Sequence, residues 1–360
     1  MRTRFVPSRL ARVAAAALVL AALIAGCGER GQETGVAAGR LQAVPVAADS
    51  VTVSGISAGG YMAVQFHVAN SALVRGAGVI AAGPYGCAEN SLADALGRCM
   101  KGDSPIPTDE LVSRTSQLAL EEEIDPIAGL ADDRAWIFHG GADPVVAKPV
   151  VDALEAYYAT LVAPSGIRRV ELPAAGHTFP ANDPALAACG ATQSPFVGNC
   201  GIDGARLMLE HLYGPFARAA GTRAGGELRV IDQAPYAAAT GAAGLADQGW
   251  LYVPAACSGK GAPGRCRLHV VFHGCKQGAS YVQDTFVRRS GYLAAADAGD
   301  IVVLFPQVAP SFQPLNPNGC WDWWGYGSEA YDTRRGPQIM AIRAMVDDLL
   351  GANAAPATAE

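Results

Sequence analysis

Charged residues are scarce in this chain, and the scarcity excludes several classes of protein. Only 17% of the 360 residues are Asp, Glu, Lys or Arg, and the formal net charge is −6. No basic cluster interleaves with aromatic residues, so we expect no nucleic-acid partner. The sequence also has no internal repeat, no glycine-rich phosphate loop and no His/Cys spacing typical of a metal site. We therefore expect neither a metal nor an organic cofactor.

The N-terminal apolar run is too short for a comfortable membrane span. It covers residues 13–26, follows several arginines and ends in Leu-Ile-Ala-Gly-Cys, which resembles a bacterial lipobox. This pattern predicts a signal peptide at residues 1–26 and a lipid anchor on Cys27. The anchor would be the protein's sole membrane contact and would make it an envelope lipoprotein. The alternative is plain secretion, with Cys27 incidental.

The rest of the composition fits one large domain with a buried core. Half of the residues are hydrophobic and 42 are glycine. Several short segments are continuously apolar, as expected for parallel strands that are covered on both faces. We predict a flexible tether at residues 27–47, a single α/β domain at residues 48–350 and a disordered tail at residues 351–360. We expect a monomer.

A serine between two glycines gives the first chemical signal. Residues 55–59 read Gly-Ile-Ser-Ala-Gly and directly follow the apolar run at residues 51–53. A strand, a sharp turn and a helix in this order form the nucleophile elbow of an α/β-hydrolase, in which the serine hydroxyl is exposed above the sheet. The glycines allow a tight turn where a Cβ would clash. Ser57 is therefore the predicted nucleophile.

An acid and a base follow in the order that this fold requires. Asp143 comes after the strand pattern at residues 135–139, and His177 comes after the one at residues 168–172. The order Ser…Asp…His is that of α/β-hydrolases. Serine becomes nucleophilic when a histidine takes its proton, and the acid fixes the imidazole tautomer. The alternative for Asp143 is a turn residue that bonds its own backbone.

The remaining parts of an α/β-hydrolase occur after the serine instead of before it. Residues 268–275 form a β-run that ends in His-Gly-Cys, a loop that would donate an oxyanion N–H. A second apolar strand follows at residues 300–307, and an amphipathic helix at residues 336–350. That helix would ordinarily lead into the strand before the serine. The sequence therefore predicts a circularly permuted α/β-hydrolase with a mostly parallel sheet and helices on both faces.

These motifs together resemble the extracellular poly(3-hydroxybutyrate) depolymerases of the single-domain, circularly permuted type. The resemblance rests on residues 55–62, on the His-Gly-Cys loop and on the Asn-Gly-Cys-Trp-Asp-Trp-Trp segment at residues 318–324. It implies a secreted serine esterase that acts on a polyester or oligoester through an acyl-enzyme. The family's catalytic residues fall on Ser57, Asp143 and His177, and its oxyanion N–H donors fall on Ala58 and Cys275.

Two other functions remain open at this stage. Related esterases with a similar His-Gly-Cys loop cleave feruloyl or acetyl groups from soluble or polysaccharide-borne esters. A protein of a different class, a non-catalytic envelope lipoprotein, is also conceivable, although a complete triad argues against it. The cleft shape would distinguish the two enzymes.

The cysteines predict a disulfide framework. Cys27 aside, an even number remains in a chain with an export signal. Short separations favour three pairs and leave a fourth between the oxyanion loop and the Trp-rich segment. The alternative is that some are free buried thiols. The predicted pairs are Cys87 with Cys99, Cys189 with Cys200, Cys257 with Cys266, and Cys275 with Cys320.

The Trp-rich segment predicts a wall for the substrate. Trp321, Trp323 and Trp324 stand close together beside the polar residues Asn318 and Asp322. We expect such a mixed segment to turn at least one of its indoles toward the cleft and away from the core. An aromatic wall suits an apolar polyester chain, since a rigid ring offers a large contact area. Trp323 or Trp324 is the strongest candidate for the cleft, and Trp321 is predicted as a further substrate-binding residue.

Overall fold

The computed structural model of this chain describes residues 40–218, 225–258 and 266–352. An eight-stranded sheet organises these residues, and a small parallel sheet of three short strands lies beside it. The strands are β1 Val46–Ile56, β2 Val74–Ile80, β3 Arg134–Gly140, β4 Ile167–Leu172, β5 Phe179–Ala181, β6 Ala187–Ala188, β7 Val197–Asn199, β8 Glu227–Asp232, β9 Gln248–Val253, β10 Cys266–Phe272 and β11 Ile301–Phe305.

Helices connect most of these strands. A π-helical turn at Gly97–Lys101 directly follows the second helix, and single 3₁₀ turns lie at Ile127–Leu130, Pro164–Gly166 and Ala255–Cys257. The α-helices are α1 Ala58–Ala69, α2 Leu92–Leu96, α3 Thr108–Leu120, α4 Lys148–Ala159, α5 Gly204–Tyr213, α6 Ala234–Thr240, α7 Ala279–Val282, α8 Thr285–Arg289, α9 Tyr292–Gly299 and α10 Pro337–Leu349.

The large sheet is nearly all parallel and has the order β4-β3-β2-β1-β10-β11-β9-β8. Only β9 runs opposite to the other strands of this sheet, and it pairs antiparallel with both β11 and β8. The continuously apolar strands predicted from the sequence lie at its centre, and every residue of β11 is buried. Burial on both faces explains why these strands show no alternation of polar and apolar residues.

The predicted circular permutation is confirmed by this order. The serine-bearing strand β1 lies between β2, which follows it in the chain, and β10, which comes much later. The end of α10 meets the beginning of β1, because the Val44 N–H donates to Leu349 O at 2.9 Å. The last described helix therefore leads in space, though not in the chain, into the strand that carries Ser57. The fold is a permuted α/β-hydrolase.

The packed part of the chain begins before residue 48, the predicted domain boundary. The strand β1 starts at Val46, Arg40 pairs with Asp348 at 2.9 Å, and the Leu41 N–H donates to Tyr236 Oη at 2.6 Å. An ion pair and hydrogen bonds to distant residues hold this segment, and such contacts leave no pattern in the sequence. The predicted signal peptide, Cys27, residues 28–39 and residues 353–360 lie outside the described residues.

A chain of buried polar groups crosses the sheet. The imidazole of His269 lies between Thr52 and Ser54, with Nδ1 and Nε2 each 2.7 Å from a hydroxyl oxygen. Ser54 Oγ in turn lies 2.6 Å from Tyr292 Oη, and Thr52 Oγ1 donates to Tyr213 Oη at 2.6 Å. Every member finds a partner, so the network specifies strand register without an unpaired polar group.

We expect the protein to lose stability in acid because the buried imidazole of His269 stays neutral. Burial lowers the pKa of His269 to about 3, from 6.5 for an exposed imidazole. Between these values the unfolded chain binds more protons than the native one, so the free energy of unfolding falls as pH drops below 6.5. Each pH unit costs about 1.4 kcal/mol for such a histidine.

Denaturant unfolding at pH 7.5 and pH 5.0 measures this effect. The variant His269→Gln should lose about 2 kcal/mol less than wild type between the two pH values, because it removes one titrating group. Parallel losses in the two proteins would contradict the assignment to His269.

Candidate active site

Ser57 stands on a strained turn between β1 and α1. Its backbone has φ 57° and ψ −125°, a left-handed conformation that non-glycine residues rarely adopt. A Cβ on Gly55 would lie 2.1 Å from Gly59 O, and a Cβ on Gly59 would lie 2.2 Å from Phe272 O. Both glycines of the motif are therefore required sterically, as expected for a nucleophile elbow.

His177 and Asp143 form a hydrogen-bonded pair at the same edge of the sheet. His177 Nδ1 lies 2.8 Å from Asp143 Oδ2. A carboxylate oxygen accepts, so Nδ1 carries the proton and Nε2 is the nitrogen left for other chemistry. The N–H groups of Val145 and Val146 donate to the other carboxylate oxygen at 2.7 and 3.0 Å.

Asp143 remains ionised in this setting. Its side chain is fully buried, and burial alone would raise the pKa of the carboxyl group. The hydrogen bond from His177 and the two N–H donors outweigh this cost, so the pKa lies below its usual value. A buried carboxylate held in this way fixes both the tautomer and the orientation of the imidazole.

The loops that carry this acid and this base brace each other. The Ala142 N–H donates to Ala175 O at 2.9 Å, and the Gly176 N–H donates to Cys189 O at 3.0 Å. The His177 N–H donates to Thr192 Oγ1 at 2.9 Å. The backbone of both loops is thereby fixed, so the imidazole does not depend on its own side-chain contacts alone.

The loop after β10 includes a backbone N–H, that of Cys275, for which the described residues hold no partner. The Gly274 N–H donates to Gln277 Oε1 at 2.7 Å, and the Lys276 N–H donates to Asn318 O at 2.8 Å. The Cys275 N–H between them has no hydrogen-bond partner in the described part of the chain. Gly274 adjoins Ser57, since a Cβ on this glycine would lie 3.5 Å from Ser57 Cβ. Ala58 opens α1, where the first N–H groups have no partner within the helix.

Sequence reasoning missed two residues that hold this loop. His273 Nδ1 lies 2.8 Å from Gly274 O, and Nε2 accepts from the Val308 N–H at 3.2 Å. Burial lowers the pKa of His273 to about 4, so the imidazole stays neutral and keeps both bonds. Gln277 accepts from Gly274 and donates through Nε2 to Phe196 O at 3.1 Å. The spacing of His, Gly, Cys and Gln in this loop was the available signal.

All four predicted disulfides are confirmed. They join Cys87 to Cys99, Cys189 to Cys200, Cys257 to Cys266 and Cys275 to Cys320. The last one ties the loop that carries the Cys275 N–H to the Trp-rich segment. Disulfides of this number are typical of proteins that fold in an oxidising compartment outside the cytosol.

One cavity joins these parts. It has a volume of about 430 Å³, and Ser57, His177, Gly274 and Cys275 all lie in its wall. Most of the remaining wall is apolar. A larger hollow of about 530 Å³ around Arg75 contains none of the predicted catalytic residues. The apolar side chains of the catalytic cavity include Leu92, Leu96, Met100, Val145, Phe196 and Leu315.

The three tryptophans of residues 321–324 divide between core and cavity. Trp323 and Trp324 lie in the cavity wall, and Trp323 stacks on Tyr61 with 4.0 Å between ring centroids. The prediction that Trp321 binds substrate is wrong. Trp321 is fully buried against Phe272 of β10, 5.1 Å away between centroids, and the preceding residue, Cys320, is bonded to Cys275 just after that strand.

Asp322 organises the turn that carries the two cavity tryptophans. Its carboxylate accepts from the N–H groups of Gly325 and Tyr326 at 2.8 and 2.9 Å, and from Gly327 at 2.9 Å. Burial raises the pKa of Asp322 to about 6, although these donors oppose the shift. The turn is therefore held by one side chain, and Trp323 and Trp324 keep fixed positions as a result.

Across residues 40–218, 225–258 and 266–352, no helix is both long and apolar enough to cross a membrane. Over the same ranges, no group of three or more His, Cys, Asp or Glu side chains is arranged to hold a metal ion.

Fold and site together define a serine hydrolase of the α/β-hydrolase class. No protein-family model matches the chain. It is 43% identical over 313 residues to a poly(3-hydroxybutyrate) depolymerase of Delftia acidovorans, a match that covers 86% of this chain and 62% of that protein. It is 35% identical over 329 residues to a polyhydroxybutyrate depolymerase of Talaromyces funiculosus, covering 88% of this chain and 94% of the relative. The chain belongs to the poly(3-hydroxybutyrate) depolymerase family.

Solved structures give the same result. The crystal structure of a PHB depolymerase from Penicillium funiculosum is 31% identical, with a TM-score of 0.79 over 87% of this chain and 99% of that one. A serine-to-alanine variant of a PHB depolymerase in complex with an R3HB trimer is 30% identical, with the same TM-score and coverage. The likeness spans nearly the whole of both solved chains.

Proposed function

We propose that this protein hydrolyses the ester bonds of poly(3-hydroxybutyrate) and its oligomers by a serine-esterase mechanism. The observation that carries the proposal is the single apolar cavity that contains Ser57, His177 and the unpartnered Cys275 N–H. The names of the relatives supply the substrate class. The chain spans about three fifths of the Delftia relative, so the activity of that whole protein is itself part of the proposal.

The proposed reaction follows from the positions of these groups. His177 Nε2 takes the proton of Ser57 Oγ as the oxygen attacks the ester carbonyl, while Asp143 stabilises the imidazolium through Nδ1. The N–H groups of Ala58 and Cys275 stabilise the oxyanion. His177 then gives the proton to the leaving alcohol, and water hydrolyses the acyl-enzyme in a second round of the same chemistry.

The rim of the cavity supports a polymeric substrate. Leu92, Leu96 and Leu315 lie in the cavity wall and are each more than half exposed. Phe312 is on the same loop as Leu315, and 89% of its surface is exposed. Exposed apolar side chains around an active-site mouth cost solubility unless they contact an apolar surface. A polyester granule or film offers such a surface.

Clearing of a polyhydroxybutyrate suspension tests the proposal directly. Purified protein should clear the suspension and release soluble hydroxy acids, and it should also cleave p-nitrophenyl butyrate. Hydrolysis of feruloyl or acetyl esters of polysaccharide without clearing would replace the polyester proposal by the related esterase function. If the protein hydrolyses none of these substrates, the remaining hypothesis is that it is a non-catalytic lipoprotein.

We expect Trp324→Ala to harm long substrates more than short ones. Trp324 is only half-buried and lies in the cavity wall, so it can contact chain units beyond the scissile ester. Such remote contacts orient the reacting bond, and the loss in kcat/KM should therefore grow with chain length. We expect about a tenfold loss on a hydroxybutyrate trimer and less than threefold on p-nitrophenyl butyrate, with little change in Tm.

Trp250→Ala is the matched control. Trp250 is also half-buried, but it lies on β9 and is absent from the cavity wall. Trp250→Ala should change kcat/KM by the same factor on the hydroxybutyrate trimer and on p-nitrophenyl butyrate. Equal losses in Trp324→Ala, together with a collapsed Tm, would make Trp324 a structural residue and contradict the prediction.

We further propose that the protein is exported as a monomeric lipoprotein with a signal peptide at residues 1–26 and acylation of Cys27. The lipobox-like segment and the four disulfides support export. Cell fractionation of wild type and Cys27→Ser tests the anchor. Wild type should follow the membrane fraction and Cys27→Ser should be soluble. If wild type is also soluble, the lipid anchor is contradicted and plain secretion remains. Gel filtration of the soluble protein tests whether it is a monomer.

A further inference from the structure

Lys276 is an unexpected residue in the wall of the catalytic cavity. Among the described residues that line this cavity, it is the one Lys, Arg, Asp or Glu, since the others are apolar, neutral or the histidine of the site. It forms no ion pair within the described part of the chain. Because this exposed lysine has no acidic partner, it can form a charge-assisted hydrogen bond with an anion that enters with the substrate.

The backbone of Lys276 is fixed beside the oxyanion loop. The residue directly follows Cys275, and its N–H donates to Asn318 O at 2.8 Å. The disulfide between Cys275 and Cys320 joins the same two segments of the chain a second time. The Lys276 side chain is long and exposed. Its backbone, however, is fixed next to the Cys275 N–H, which would stabilise the oxyanion.

The conformation of Lys276 is also unusual. Its φ is 56°, in the left-handed region that favours Gly, Asn or Asp. Strain of this kind at a ligand-facing residue is tolerated when the surrounding bonds determine it. Asn318 is also exposed and lies in the same wall, so a lysine and an asparagine line this cavity together.

The chemistry of a hydroxyalkanoate chain supplies the anion. Every ester in such a chain has its hydroxyl end on the acyl side and its carboxyl end on the alcohol side. The free carboxylate of an oligomer therefore always belongs to the leaving alcohol. A carboxylate accepts charge-assisted hydrogen bonds from an ammonium and an amide, and these are among the stronger hydrogen bonds in proteins.

We propose that Lys276, assisted by Asn318, binds the terminal carboxylate of oligoesters and orients the chain with its carboxyl end toward the oxyanion loop. The inference rests on the proposed function and deepens it. In the acylation step the ester C–O bond breaks and the acyl carbon bonds to Ser57 Oγ. The leaving oxygen takes the proton from His177, and the departing hydroxy acid keeps its carboxylate on Lys276.

This subsite separates two kinds of substrate. A polymer chain has one carboxylate end, so an ester in its interior brings no anion to Lys276. A free oligomer brings one each time its carboxyl-terminal ester binds. The protein should therefore prefer oligomers with a free carboxylate to the same oligomers capped as methyl esters, and it should shorten them from the carboxyl end.

The test compares a hydroxybutyrate trimer as the free acid and as its methyl ester. The readout is the ratio of kcat/KM for the free acid to kcat/KM for the methyl ester. In wild type at low salt we expect a ratio of about five to ten, because a charge-assisted hydrogen bond in a partly solvated site is worth a factor of this order. Lys276→Gln should bring the ratio close to one, and Asn318→Ala should lower it by a smaller factor.

Lys148→Gln is the control. Lys148 is an exposed lysine paired with Asp152 and is absent from the cavity wall, so its loss should leave the ratio at the wild-type value. High salt should lower the wild-type ratio and leave that of Lys276→Gln unchanged, because screening acts on the charge alone. A ratio that is the same in wild type and Lys276→Gln would overturn the inference.

Failure of this inference differs from failure of the proposed function. If the protein is not a polyester hydrolase, wild type cleaves neither form of the trimer. If only the inference is wrong, wild type cleaves both forms and the ratio does not respond to Lys276→Gln. Inhibition by free 3-hydroxybutyrate gives a second readout, and it should weaken in Lys276→Gln if the carboxylate binds there.

Discussion

Replacement of Ser57 by alanine should lower esterase activity by several orders of magnitude and leave the fold intact. The hydroxyl oxygen forms the acyl-enzyme in the proposed mechanism, and Ser57 is the one Ser, Thr or Tyr among the described residues that line the cavity with His177. Removal of a triad member typically leaves only the residual rate supplied by binding and the oxyanion donors. The readouts are kcat on p-nitrophenyl butyrate and clearing of a polyhydroxybutyrate suspension.

The structure explains why the variant should fold. Ser57 Oγ makes no hydrogen bond within the described residues, and α1 begins without a side-chain cap from this residue. The strained backbone is held by the neighbouring glycines and by the Ser57 N–H, which donates to Ile80 O at 2.9 Å. Alanine keeps all of these contacts. We therefore expect a Tm close to that of wild type.

Fluorophosphonate labelling provides the decisive comparison. Wild type and Ser113→Ala, in which an exposed serine on α3 is lost, should label fully. Ser57→Ala should not label at all. Persistent labelling of Ser57→Ala, or persistent turnover above the background, would show that another residue is the nucleophile.

Asp143→Asn should reduce kcat by about 10⁴ while the protein stays folded. Asparagine can still accept from the N–H groups of Val145 and Val146 through its oxygen. Its amide nitrogen then faces His177 Nδ1, which must become the acceptor. The imidazole proton moves to Nε2, and that nitrogen can no longer take the proton of Ser57.

The pattern of losses identifies this mechanism. KM should change little, because Asp143 is buried behind the histidine and is absent from the cavity wall. Asp152→Asn, which alters an exposed carboxylate on α4, should retain wild-type kinetics. A loss of less than tenfold in Asp143→Asn would mean that Asp143 serves only the turn at Val145 and Val146.

The catalytic candidates could be found from the sequence because each follows a parallel strand. Ser57, Asp143 and His177 lie after β1, β3 and β4, and the carboxyl ends of parallel strands meet at one edge of a sheet. Order along the chain therefore translated into proximity in space. The short-range cysteine pairs were accessible for a similar reason, since a small loop restricts the partners available to each thiol.

The tryptophans show where this reasoning stops. Trp321 and Trp323 are two residues apart, yet one is in the core and the other is in the cavity wall. The backbone on either side of Trp321 is held by the disulfide at Cys320 and by the N–H groups that donate to the Asp322 carboxylate. Neither effect has a periodicity that a sequence pattern could reveal.

The sequence by itself determined the permuted α/β-hydrolase class, the catalytic candidates and the cysteine pairs, because strand order, elbow glycines and short loops act locally. Only the tertiary structure decided which groups surround the reacting ester. In the structure, Cys275, Lys276 and Gln277 lie in one cavity wall. The Gln277 side chain accepts from the Gly274 N–H, and the Cys275 N–H has no partner among the described residues. The tertiary structure also extended the packed chain back to residue 40 through contacts with α10. Such contacts depend on long-range packing and hydrogen bonds between distant segments, which residue types and spacing do not encode.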